Sequence, residues 1–120
     1  MQLEVLKMST LTGKYAKLRD DIRTALEIGE RAETENPDDG GTCNLDCVML
    51  TLPRATESKV VQAAHEAGWH IRKYRFYGQT VYMLNPRTNG QANARSRNAE
   101  AVAKALRDMG YDAMDYCQMD

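Results

Sequence analysis

Leu11, Tyr15, Leu18, Ile22 and Leu26 recur at spacings of four, three, four and four, the apolar stripe of an amphipathic helix. Ser9 or Thr10 is placed to cap it, and Lys14, Lys17, Arg19, Asp20, Asp21 and Arg23 form its wet face. The stripe is expected to fray between Gly29 and Thr34. Met8, followed by Ser9 and Thr10, looks like a second possible start, so the segment up to Lys7 is read as an extension. Glu35-Asn36-Pro37-Asp38-Asp39-Gly40-Gly41 then breaks every periodicity. This predicts a helical arm over 1–34, an acidic Pro/Gly linker over 35–42 and a core over 43–120.

In the core the period changes. Asp46–Leu52 is a short apolar run closed by Pro53, which predicts a buried strand. Thr56 is placed to cap a helix through Val60, Val61, Ala63, Ala64 and Ala67, with Gly68 as its left-handed stop. Trp69–Phe76 and Thr80–Asn85 are β-branched and aromatic runs joined at Tyr77-Gly78-Gln79, the pattern of a hairpin. A last helix lies within Gly90–Met109, stopped by Gly110, and Tyr111–Met119 predicts a final strand. The order β-α-β-β-α-β is that of the ferredoxin-like fold. It predicts an α+β domain with a four-stranded antiparallel sheet and two helices on one face, preceded by the N-terminal helix.

Composition agrees with a folded domain: of 120 residues, 42% are hydrophobic and 28% charged. With no apolar run of about 18 residues and no apolar leader at Met1–Thr10, the expectation is a cytoplasmic protein of a bacterial host cell, not bound to membrane. The net charge of −1 conceals a partition. Glu27–Asp46 carries seven acids and one base, Arg54–Arg107 is strongly basic, and Asp112, Asp115 and Asp120 make the tail acidic again. Such asymmetry bears on the choice of partner more than on the fold.

Cys43, Cys47 and Cys117 stand near the ends of two predicted strands. The topology makes those strands antiparallel neighbours, which brings Cys43 towards Cys117, with His65 and His70 expected at the same edge. Thiolates with an imidazole suit Zn²⁺, so Cys43, Cys47, Cys117 and His65 are the candidate ligands. Cys43 and Cys47, four apart in one strand, would be separated by roughly 13 Å, and sharing a metal would need a turn at Asn44-Leu45-Asp46. Buried free thiols are the plainer account. A disulfide is disfavoured in a reducing cytoplasm. No Gly-x-Ser-x-Gly, phosphate loop or His-Glu-x-x-His occurs. A Cys117–His nucleophile and base pair is the one catalytic arrangement available, and the chain is expected not to be an enzyme.

Basic and aromatic residues interleave over Trp69–Tyr77, which makes Arg72, Lys73 and Arg75 candidate partner-binding residues for single-stranded nucleic acid. Strand alternation, however, allows only half of them on one face. Arg95 and Arg97, in the polar entry of the last helix, join the candidate partner-binding set through an anion held at the helix start. The helical arm is free to pack on its own core, on a second copy or on a partner, as a monomer or a homodimer.

Gly41–Asp46, the Tyr77-Gly78 turn, Gln91–Arg95 and the ending Tyr116–Asp120 resemble a group of small prophage and mobile-element proteins of gut Firmicutes. Some small phage proteins of this kind act as anti-CRISPR inhibitors of Cas9. What the resemblance implies is a non-catalytic inhibitor that docks on the effector and blocks DNA loading or cleavage. The alternative is a small nucleic-acid-binding regulator using the basic and aromatic strand.

Overall fold

The computed structural model describes residues 10–34, 43–69, 71–76, 78–84 and 92–119. Their elements run α1 (Gly13–Thr34), β1 (Cys43–Thr51), α2 (Glu57–Glu66), β2 (Ile71–Phe76), β3 (Gln79–Leu84), α3 (Ala92–Asp108) and β4 (Asp112–Met119). The four strands form one antiparallel sheet in the order β2-β3-β1-β4, which is ferredoxin-like topology with an added N-terminal helix.

Alternation along the strands sorts the side chains into two layers. Val48 and Leu50 of β1, Ile71 of β2, Tyr82 and Leu84 of β3 and Ala113 of β4 join the helices in the main core. Cys47, Met49 and Val81, with Met83 against them, form a second apolar cluster on the face turned away from the helices. The strand predicted at Asp46–Leu52 begins earlier, at Cys43, because pairing with β4 runs from Cys43 opposite Met119 to Thr51 opposite Asp112. The hairpin closes with Phe76 opposite Gln79, and Gly78 supplies a φ of 81° at the turn.

Both core helices end in the same device. After α2, Gly68 at φ 92° sends its N–H to the His65 carbonyl, and the Trp69 N–H reaches back to Ala64 at 2.8 Å. After α3, Gly110 at φ 101° and Tyr111 repeat the pair of bonds to Arg107 and Leu106. These are Schellman stops, each followed by an aromatic residue that folds back on the core. Trp69 therefore finishes a helix, and β2 starts only at Ile71. The predicted caps fare differently. Thr56 stands at the N-cap position with extended backbone, yet its side chain makes no capping bond. Its N–H instead donates to the Tyr15 hydroxyl at 2.9 Å. Ser9 lies outside the described residues, and the Thr10 hydroxyl accepts from Gln62 of α2, across the domain.

The question left open for the N-terminal helix has a clear answer: it packs on its own core. Leu18, Ile22, Ala25 and Leu26 are each 3% exposed or less, inside the same cluster as the sheet residues. The backbone of α1 comes close to both α2 and α3, whereas among the described residues those two do not approach each other as closely, so α1 lies between them. Burying Leu18, Ile22 and Leu26 contributes about 1.5–3 kcal/mol each. The approach of α1 to α3 is close enough to require glycine. A Cβ on Gly29 would stand 2.3 Å from Asn98 Oδ1 and 2.5 Å from Val102 Cγ2, both on buried residues. None of the described helices is long and apolar enough to cross a membrane.

Gly29→Ala tests that packing directly. Alanine would gain up to about 1 kcal/mol of helix propensity on an exposed helix. Here the overpacking is expected to win, for a net loss of about 1–3 kcal/mol in urea unfolding. A variant as stable as the parent would mean that α1 does not seat against α3 in this way.

Candidate functional site

The register lines up a single row across the face turned away from the helices. Arg72 of β2 stands opposite Met83 of β3, Met83 opposite Met49 of β1, and Met49 opposite Met114 of β4. In the row beside it, Tyr74 pairs with Val81 and Thr51 with Asp112. The centre of this face is closely packed, with Met49 and Val81 only 2% and 3% exposed. Its two edges are open: Met114 is 51% exposed on β4 and Tyr74 40% on β2. Arg72 Nη1 donates to the Tyr74 hydroxyl at 3.3 Å, which fixes a guanidinium beside a phenol at the β2 edge. Methionine side chains reshape at little cost, and tyrosine and arginine are the residues that most often anchor protein contacts.

The remaining residues expected to bind a partner are dispersed. Lys73 and Arg75 have the opposite parity on β2, so they do not share a face with Arg72. Lys73 pairs with Glu57 of α2 at 2.9 Å, and this carboxylate raises its pKa. Arg97 is half-buried on α3, while the side chain of Arg95 lies outside the described residues. The structure thus brings Arg72 together with Tyr74 and the methionine row and separates it from Lys73 and Arg75.

Of the cysteines, Cys47 is buried and packed with Met49 and Val81, opposite Tyr116 in register. Cys43 and Cys117 do fall on neighbouring strands, Cys43 opposite Met119 and Cys117 opposite Asp46; their side chains, like His70, lie outside the described residues. His65 is exposed on α2, whose close backbone neighbours among the described residues are α1 and β2. Among the described residues no three His, Cys, Asp or Glu side chains gather as a metal cluster.

Sequence periodicity gave no hint of the concave region around Leu52–Ala55. One cavity of about 520 Å³ is lined by Arg54, Glu57, Lys73, Gln79, Thr80 and Tyr82 among others. On the far side of the same loop a smaller one of about 280 Å³ is bounded by Tyr15, Tyr111, Lys14 and Lys17 over Leu18 and Met109. Lys14 and Lys59 both stand over the Tyr15 ring, at 5.2 and 5.8 Å from its centre, and Lys17 stands 5.2 Å from that of Tyr111. Hydrogen bonding to Thr56, first to its side chain and then to its N–H, lowers the Tyr15 pKa, with help from Lys14. Arg54 holds a φ of 63°, a left-handed backbone that a non-glycine residue adopts at a cost of about 1–3 kcal/mol. The signals that could have found this region are Pro53-Arg54 after an apolar strand and the basic face of α1, neither specific alone.

No protein family, curated protein or solved structure matches the chain.

Tyr111 gives the region a pH signature. Its hydroxyl donates to Asp21 Oδ2 at 2.7 Å, and burial, reinforced by that carboxylate, raises its pKa well above the tyrosine norm. The folded chain therefore keeps a proton that the unfolded chain releases near pH ~10, so this contribution to stability is present below that pH and is lost as pH rises above it. Tyr111→Phe removes the titration. The urea midpoint is expected to fall less between pH 9 and 11 in the variant than in the parent; equal falls would show that Tyr111 is not buried against Asp21.

Proposed function

We propose that this chain is a non-catalytic inhibitor from a phage or other mobile element, acting by docking on a protein, with Cas9 as the partner. The observation that carries the reading is the row Arg72–Met83–Met49–Met114 on the sheet face turned away from the helices, flanked by Tyr74. Such a face offers a rigid sheet underneath, a deformable apolar surface above, and an Arg–Tyr pair at one end able to hold a carboxylate of the partner. Cas9 enters through the resemblance of four segments of the chain to small prophage proteins, some of which are inhibitors of that effector.

Nucleic acid fits this face less well. A sheet that stacks bases needs aromatic rings on its central strands. Here the central strands supply Cys47, Met49, Val81 and Met83, and the described aromatic of this face, Tyr74, is on an edge strand. Only one of the three basic residues of β2 accompanies it.

Guide-programmed cleavage of matched DNA is the test, with the protein equimolar to Cas9 and in tenfold excess. Inhibition is expected, and Met114→Asp combined with Tyr74→Ala is expected to weaken it at least tenfold. Both residues are exposed, so stability should change by no more than about 0.5 kcal/mol for each. Absence of both inhibition and binding sinks the Cas9 reading. Retention of a salt-sensitive affinity for oligonucleotides would promote the regulator in its place.

A further inference from the structure

The cavity beside Leu52–Ala55 lies on the helix side of the sheet, away from the methionine row. Tyr82 is 3% exposed and lines it. Its ring is buried, while its hydroxyl is not among the buried unpartnered polar atoms of the described residues and so opens to solvent in the cavity, free to donate to a ligand there. Burial raises its pKa, so it is present as a donor at neutral pH. Arg54 lines the same cavity from the loop, and Lys73 from β2.

Charge around the loop is unbalanced. Glu57, the acid of the cavity, is already held by Lys73. Arg54 has no carboxylate partner among the described residues, and neither do Lys14 and Lys59, whose ammoniums gather over the Tyr15 ring just across the loop. Lys14 also donates to the Arg54 carbonyl at 3.4 Å, tying the two sides together. Like charges gathered without a counter-charge repel one another, and an anion placed among them removes that cost. The left-handed backbone at Arg54 belongs to the same picture, since strain of this kind collects where a side chain must be presented to a ligand.

We infer that this cavity binds a phosphate monoester of about mononucleotide size, with Arg54, Lys73 and the Tyr82 hydroxyl donating to the phosphate and Glu57 accepting from a hydroxyl on its body. A volume of about 520 Å³ falls within the range of small-molecule sites. The phosphate dianion meets the unpaired guanidinium of Arg54 and gives the Tyr82 hydroxyl an acceptor. This site is independent of the docking face, and either can fail without the other.

Calorimetry and thermal shift at constant ionic strength, using AMP, adenosine and inorganic phosphate, test the assignment. AMP is expected to bind and raise the Tm, adenosine to do neither, and inorganic phosphate to compete with AMP. Tyr82→Phe keeps the packing and removes one donor to a charged group, so AMP affinity should drop about tenfold. Arg54→Gly should weaken AMP at least tenfold without lowering the Tm, because glycine accepts that backbone freely. The proposal is overturned if AMP does not bind, if adenosine binds as well as AMP, if phosphate does not compete, or if both variants bind AMP like the parent.

Discussion

Everything in this domain hangs on how closely α1 can approach α3. The contact is tightest at Gly29, against Asn98 and Val102 of α3, and both helices carry further small buried residues, Ala25 on one and Ala99 and Ala105 on the other. Asn98, 1% exposed, sits in this seam, and its Nδ2 donates to Glu33 of α1 at 2.9 Å. Bulkier residues would hold the helices apart and leave Ile22 and Leu26 short of the sheet. Since α1 approaches both α2 and α3, it closes the helical layer. It is part of the core in the energetic sense, because without it Val60, Ala63 and Val102 would face water.

That arrangement explains an otherwise odd division of charge along α1. Its apolar stripe is spent on the core, and its polar side chains are left to bind neighbours across long stretches of sequence. Arg19 reaches Glu66 of α2 at 3.5 Å, and Arg23 donates to the Glu66 carbonyl at 3.1 Å. Asp21 takes the Tyr111 hydroxyl from beyond α3. Exposed ion pairs of this sort add little stability singly. Their value is positional, since they set the rotation of α1 that presents Tyr15 to the N-terminus of α2.

Much of this was legible from pattern alone. The 3.6-residue stripe of α1, the Gly68 and Gly110 stops and the turn at Gly78 each rest on local physics, and each appears where local physics puts it. The element order then carried the sheet topology. What pattern could not supply was anything that depends on two distant segments meeting. Thr56 has the right identity and backbone for a cap, but Tyr15 comes in from another helix and takes its N–H, a contact no local rule anticipates. Cys43, Cys47 and Cys117 were grouped by topology; register then placed Cys47 opposite Tyr116 and within an apolar cluster, a detail finer than strand order. The cavity around Tyr82 was invisible for the same reason, being built from β1, α2, β2 and β3 together.

The six residues of β2 show how one short edge strand serves two chemistries. As a linear motif, Ile71–Phe76 is a mixture of bases and aromatics and suggests one basic surface. Folded, its period of two deals Arg72 and Tyr74 to the face carrying the methionines, and Lys73 and Arg75 to the side of α2. Shifting the register by one residue would exchange the two sets and could bury Arg72 where Ile71 now packs. The register is therefore held by Ile71 against Leu84 in the core, and the separation of the two surfaces follows from that single apolar anchor. A strand that looks like one functional motif in sequence is, in three dimensions, the partition between an apolar face and a polar cleft lined by Arg54, Glu57 and Lys73.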